Sequence, residues 1–287
     1  MIDEIVDYCH QKYQSRENVC ANCNNALCLN DTCEQCLKDI HFDPYCHRSY
    51  DCPNMCNYYV CQNIYRYATE MAWIWFDFIT QNTGEGKPFQ QLEICSIGCG
   101  PCSELVALEE YCSHNNLILP YSYVGFDIEN TWNEIQGVLK NNSNHPNAIS
   151  FEHTDVFDYY NTHNKPNVIV LNYVLSSMVK NAPNSINAFV DNLCNLVFTL
   201  NPCALLINDI NHYSTRSYFD RILLSIISQN NGISVHRFHF ENTQKNYYQY
   251  GIQRKHGRLL INPNIQIQQL YSPNSECHSA QIMIIKK

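Results

Sequence analysis

No stretch of apolar residues in this 287-residue chain approaches the roughly twenty that a membrane-spanning helix needs, so a transmembrane reading is excluded. The first residues, Met-Ile-Asp-Glu-Ile-Val-Asp-Tyr, are acidic where a secretory signal needs a basic region, so a cytoplasmic chain is expected. No internal repeat is visible. Positive charge is scarce: 18 Lys and Arg stand against 27 Asp and Glu, and the net charge of −9 argues against a non-specific nucleic-acid binder. Only residues 235–287 reverse the balance, with 7 basic and 2 acidic side chains, which leaves room for a local basic surface.

Cysteine is what the chain has in excess. Of 17, ten lie in the first 61 residues: Cys9, Cys20, Cys23, Cys28, Cys33, Cys36, Cys46, Cys52, Cys56 and Cys61. Without a secretory signal, such a cluster reads as metal-binding rather than disulfide-forming. Residues 1–52 are polar and poor in periodic apolar pattern, so they read as a small module that a metal staples together. Cys20-Ala-Asn-Cys23 and Cys33-Glu-Gln-Cys36 present four thiolates, the donor set of tetrahedral structural zinc. Cys28 interrupts the two pairs. His41, Cys46, His47, Cys52, Cys56 and Cys61 are further candidates, enough for a second ion. The same thiolates would suit an iron–sulfur cluster.

Residues 53–80 predict a long connecting helix. Pro53 suits a first helical position, with Asp51 before it as a cap. Tyr58, Cys61, Tyr65, Ala68, Ala72, Trp75 and Ile79 recur at three- and four-residue spacing, and Val60, Ile64, Tyr67, Met71, Ile74 and Phe78 form a second line. A helix apolar on two sides is sandwiched, here between the metal module and a main sheet. Its tyrosines read chiefly as packing and secondarily as the roof of a cofactor pocket.

Beyond residue 81, short apolar runs alternate with helical patterns. Strands are expected near 92–97, 121–127, 149–152, 167–172 and 204–209. Helices are expected over 103–113, 131–140, 184–200 and 218–228, and residues 235–240, 257–260 and 281–286 close the chain as β-rich structure. The expected class is α/β: a Rossmann-like, seven-stranded, mostly parallel sheet with helices on both faces. The expected divisions are 1–52 for the cysteine-rich module, 53–80 for the helix and 81–287 for the main domain.

The chemistry concentrates on Leu92-Glu-Ile-Cys-Ser-Ile-Gly-Cys-Gly-Pro-Cys-Ser-Glu-Leu105, a strand broken at Gly98 and Gly100 before a helix resumes. A dinucleotide site wants a third glycine and amide donors for a pyrophosphate. Here Ser103 takes that third position and Pro101 removes a donor, so a ligand without phosphates fits better.

With these features the stretch from 92 to 209 resembles the class I S-adenosylmethionine-dependent methyltransferases. Ile97-Gly-Cys-Gly-Pro-Cys102 is similar to their first motif, and the resemblance implies that Ser96, Gly98, Cys99 and Gly100 lie under S-adenosyl-L-methionine. It implies that Asp127, with Ile128, binds the ribose hydroxyls and that Asp155, with Val156, reads the adenine. Asn172 and Tyr173 would stand where the fourth strand opens toward the methyl acceptor, and Leu200-Asn-Pro-Cys-Ala-Leu-Leu-Ile resembles the turn into the fifth strand. Two positions depart from the family pattern. Ser96 stands where an acid is common, and Cys102 where glycine is common.

Methyl transfer is an in-line displacement, so alignment comes first and a base is needed only for a protonated acceptor. Candidate catalytic groups at strand ends are Asn172, Tyr173, Asp209 and His212, the last being the best base by type. No Asn/Asp-Pro-Pro-Tyr signature is present, and neither Pro101-Cys102 nor Pro202-Cys203 sits on the fourth strand as a cytosine-methylating nucleophile would. The acceptor expected beside a metal module is a macromolecule, protein or RNA. For RNA, the tyrosines near residue 250 with Arg254, Lys255 and Arg258 resemble a stacking platform, and equally a hairpin with a solvated turn. A non-catalytic zinc-dependent interaction module and a nicotinamide or flavin oxidoreductase are the competing readings.

Overall fold

The computed structural model describes residues 1–16, 33–43, 46, 49–229, 232–241, 249–254 and 257–287. Its strands are β1 (Leu92–Ile97), β2 (Tyr121–Phe126), β3 (Ile149–Glu152), β4 (Val168–Asn172), β5 (Cys203–Ile210), β6 (Ile233–Phe240), β7 (Ile252–Arg254) and β8 (Ser279–Lys286). They form one sheet in the order β3-β2-β1-β4-β5-β8-β6-β7. Every neighbouring pair is parallel except those of β8, which runs antiparallel to both β5 and β6. The order reverses between β1 and β4, the switch point at which open α/β sheets bind ligands. Among the described residues the sheet thus has eight strands rather than the expected seven. Residues 257–260 are not one of them, since Arg258 makes only an isolated bridge to Glu276.

The helices are α1 (Ile2–Gln14), α2 (Glu34–Phe42), α3 (Pro53–Asn82), α4 (Ser103–His114), α5 (Asn133–Asn142), α6 (Val156–Tyr159), α7 (Val174–Asn181), α8 (Ile186–Thr199), α9 (Tyr213–Gln229) and α10 (Ile265–Tyr271). Because side chains alternate across a strand, β4 feeds two cores. Val168 and Val170 pack in one layer with α1 to α5, and Ile169 and Leu171 in the other with α7, α8 and α9. No helix among the described residues is long and apolar enough to cross a membrane.

The long helix forms as its pattern demands, with Pro53 in the first turn, and it is buried on both apolar lines. The segment before it departs from expectation. Ile2, Ile5, Val6, Cys9 and Tyr13 hold helical spacing and bury one face of α1 in the same apolar layer as α3. Leu37 and Ile40 do the same for α2. Fully burying side chains such as Ile5 stabilises by about 1.5–3 kcal/mol each, so both helices are held against α3 by apolar packing. The division at residue 52 falls inside this continuous layer.

The cysteines follow suit. Cys9, Cys52, Cys56 and Cys61 are core residues, the Cys61 thiol lying 3.9 Å from the Val6 carbonyl and the Cys56 thiol 3.5 Å from that of Tyr50. The His41 Nε2 atom lies 2.8 Å from the Tyr50 hydroxyl. Among the described residues no group of three or more His, Cys, Asp or Glu could hold a metal ion, so His41, Cys46, Cys52, Cys56 and Cys61 do not by themselves make the second site expected of them with His47. Cys33 and Cys36 flank the start of α2, while Cys20, Cys23, Cys28 and His47 lie outside the described residues.

Candidate functional site

The glycine turn sits at the switch point and is shaped by left-handed backbone. Gly98 and Gly100 have φ of 64° and 48°, and Cys102, at the start of α4, has φ of 56°. At Cys102 a cysteine holds a left-handed conformation that glycine adopts more easily. At Gly98 a Cβ would come within 2.9 Å of the Val174 side chain, so the backbone is bare there by necessity.

Asp127 directly follows β2 and binds the turn. One carboxylate oxygen accepts the Gly100 N–H at 2.8 Å, and the other accepts the Glu129 N–H at 2.9 Å. Burial raises its carboxyl pKa, and the two amide donors oppose that rise. Behind the turn, the Gln136 amide donates to the Gly100 carbonyl at 2.9 Å, while its Oε1 atom is buried with no partner. Ser96 is buried beneath the turn and donates to Glu104 at 2.5 Å, and the same carboxylate oxygen accepts the Tyr123 hydroxyl at 2.6 Å. Burial raises the pKa of Glu104.

At the ends of β4 and β5 lies a polar network centred on Glu70 of α3, which is wholly buried. Its carboxylate accepts the Tyr173 hydroxyl at 2.8 Å, the Asn208 amide at 3.0 Å and the His278 backbone N–H at 3.0 Å. Asn208 also donates to Asn172 at 2.8 Å, and Asn172 donates to Ser103 at the head of α4 at 2.8 Å. Ser279 and Gln281 donate to Asn208 at 2.6 and 2.9 Å. Tyr173 has φ of 60°, strained for a tyrosine, and its ring lies 4.1 Å from that of Tyr67. Burial, first, and the Glu70 charge hold the Tyr173 phenol protonated, well above its ordinary range. Beside the turn, Tyr50, Tyr59 and Trp132 pack on one another at 5.3–5.7 Å, and the Trp132 indole adjoins Gly100.

The structure thus brings together Gly98, Gly100, Asp127, Asn172 and Tyr173. Cys99 is buried in the turn, its N–H donating to the Phe126 carbonyl at 3.0 Å. Other expected residues lie elsewhere. Ile128 is exposed and Val156 is packed in the core with α8. Asp155 caps α6, accepting the Phe157 and Asp158 amides. Asp209 is wholly buried and accepts the Ser176 N–H of α7 at 3.1 Å and the Ile210 N–H at 2.7 Å. His212 is exposed and pairs with Ser214 at 2.7 Å where α9 begins. Sequence reasoning missed Glu70, Arg66, Glu104 and Gln136. A buried acid betrays itself only as a carboxylate among apolar helical lines, as in Tyr67-Ala-Thr-Glu70-Met71.

No family model and no curated protein matches the sequence. Among solved structures the chain is similar to precorrin-6y C5,15-methyltransferase from Geobacter metallireducens GS-15, at 8% identity, covering 76% of this chain and 89% of that one, with a TM-score of 0.43. It is similar to the CurJ carbon methyltransferase at 10% identity, over 76% of this chain and 53% of that one, with a TM-score of 0.45. A SAM-dependent methyltransferase from Archaeoglobus fulgidus shares 14% identity over 76% of this chain and 94% of that one, with a TM-score of 0.40. At such identities these overlaps say nothing of this chain's reaction.

Proposed function

We propose that this chain is an S-adenosylmethionine-dependent methyltransferase. The observation that carries the reading is the 2.8 Å hydrogen bond from Gly100 to Asp127, which joins the glycine turn and the acid into one site at the sheet's switch point. The residues fit the cofactor. Asp127 offers carboxylate oxygens to a ribose diol, and Gln136 holds a buried acceptor with no partner beside Gly100. The turn offers a pyrophosphate little, since Pro101 has no N–H and the Gly100 N–H is already given to Asp127.

When bound, the cofactor supplies an electrophilic methyl group on sulfonium sulfur. The chain's own part is alignment. Asn172 is fixed between Ser103 and Asn208, and Tyr173 between Glu70 and the Tyr67 ring, so neither reorganises as an acceptor docks. Tyr173 stays protonated and serves as a hydrogen-bonding wall rather than a base. The expectation of an RNA acceptor loses Arg254, which is buried and paired with Asp77 at 2.7 Å; Lys255 lies outside the described residues.

Calorimetry with S-adenosylmethionine, S-adenosylhomocysteine and NAD tests the reading. Binding of both adenosyl ligands is expected, weakened at least tenfold by Asp127→Asn with the circular dichroism spectrum unchanged. Binding of NAD alone, or unaltered affinity in the variant, would overturn it.

A further inference from the structure

Arg66 lies one helical turn before Glu70 on α3, the spacing at which the two would ordinarily pair. They do not. The Glu70 carboxylate is taken by Tyr173, Asn208 and the His278 N–H. Arg66 instead lies over the crevice wall, its guanidinium 4.7 Å from the Tyr67 ring centre and 5.8 Å from that of Tyr173. One of its terminal nitrogens donates to the Tyr67 hydroxyl at 3.0 Å, and its Nε is buried with no partner. Among the described residues Arg66 forms no ion pair.

A half-buried guanidinium with one nitrogen wholly desolvated and unbonded is costly. The Glu70 carboxylate favours its charge from one turn away, without a direct ion pair. Lys180 approaches from α7, its ammonium donating to the Asp39 and Ile40 carbonyls at the end of α2. His278, beside Glu70, also has a buried ring nitrogen, Nδ1, without a partner. Two buried nitrogens without a partner, Arg66 Nε and His278 Nδ1, thus lie near Glu70, in a chain that is acidic as a whole.

We propose that Arg66 is a binding site for a carboxylate carried by the ligand of this crevice. A planar guanidinium matches a carboxylate's two oxygens. The Glu70 carboxylate nearby already offsets part of the Arg66 charge, so the site suits a singly charged carboxylate better than a doubly charged phosphate. His41 and His278 do not add to it: burial, first, and then the Arg66 charge push both below the ordinary histidine range, His41 to about 4, so both are neutral at pH 7. Two molecules could bring the carboxylate, the methionine part of the cofactor or the methyl acceptor. The placing of the crevice rests on the function proposed above.

The test compares the wild-type chain with Arg66→Met, which keeps the stem over Tyr67, and with Arg66→Lys. Each is titrated calorimetrically with S-adenosylhomocysteine, with 5′-methylthioadenosine, which lacks the amino-acid part, and with benzoate in the presence and absence of S-adenosylhomocysteine. If the cofactor brings the carboxylate, Arg66→Met loses at least tenfold in affinity for S-adenosylhomocysteine and none for 5′-methylthioadenosine, with Arg66→Lys intermediate. If the acceptor brings it, S-adenosylhomocysteine binds all three proteins alike, and benzoate binds the saturated wild type but not Arg66→Met. Equal S-adenosylhomocysteine affinity together with no Arg66-dependent benzoate binding overturns the proposal. Failure of both adenosyl ligands to bind the wild type overturns the methyltransferase reading instead, and benzoate binding to the ligand-free protein then decides the carboxylate site alone.

Discussion

Asp209 gives a pH dependence of stability whose sign and size follow from its surroundings. It is wholly buried on β5, where burial pushes its carboxyl from an ordinary 3.8 up to about 6, against the lowering effect of the Ser176 and Ile210 donors. Below the unfolded value both states are protonated and the group contributes nothing. Between the two values the unfolded chain releases its proton first, so the folded state loses stability as pH rises, and above the folded value the loss is complete. A shift of about two units at about 1.4 kcal/mol each amounts to roughly 3 kcal/mol, of which about 2 kcal/mol falls between about pH 4.5 and pH 7.5. Asp209→Asn removes the titration and turns one amide donor against an N–H, a pH-independent cost of about 1–3 kcal/mol. Urea unfolding of both proteins across that range should therefore give a stability difference, wild type minus variant, that shrinks by about 2 kcal/mol as pH rises. A difference that stays level with pH would refute the assignment of a buried, raised carboxyl.

Two further substitutions probe the site's construction. Glu70→Gln sets an amide donor against one of the three donors that Glu70 now accepts, and should cost about 1–3 kcal/mol in denaturant unfolding; an unchanged midpoint would mean the network is not formed. Gly98→Ala combines a left-handed φ of 64° with a contact of 2.9 Å to Val174. It should cost about 1–2 kcal/mol for the backbone and about 1–3 kcal/mol for overpacking. Thermal melts of Gly98→Ala with and without Val174→Ala separate the two, because removing the valine methyls relieves only the second.

The elements that were legible in the sequence are those with a local signature. The apolar run of β4, the two apolar lines of α3 and the glycine break after β1 each sit within a few residues of their own cause. α1 had its signal too, in the spacing of Ile2, Ile5, Val6, Cys9 and Tyr13, but the cysteine density around it drew the reading toward metal. Strand ends put Asp127 and Asn172 beside the switch point because the backbone alone carries them there. The same rule misled at Asp209 and His212, where position says nothing of which donor the side chain meets; one meets α7 and the other Ser214. Glu70 was out of reach for a different reason. Its partners Tyr173, Asn208 and His278 are 103, 138 and 208 residues away, and no spacing rule spans such distances.

Those same distances change which element builds the site. The three hydrogen bonds at Glu70 fasten α3 to the ends of β4 and β5 and to the head of β8. The Gln281 amide adds a fourth link, to the Glu70 backbone carbonyl at 2.7 Å, and the buried Arg254–Asp77 pair joins α3 to β7 lower down. With its own i,i+4 partner taken by the sheet, Arg66 is left facing the crevice. Fastening the helix and freeing the guanidinium are therefore one arrangement, and any change that returns Glu70 to Arg66 should loosen the first while abolishing the second.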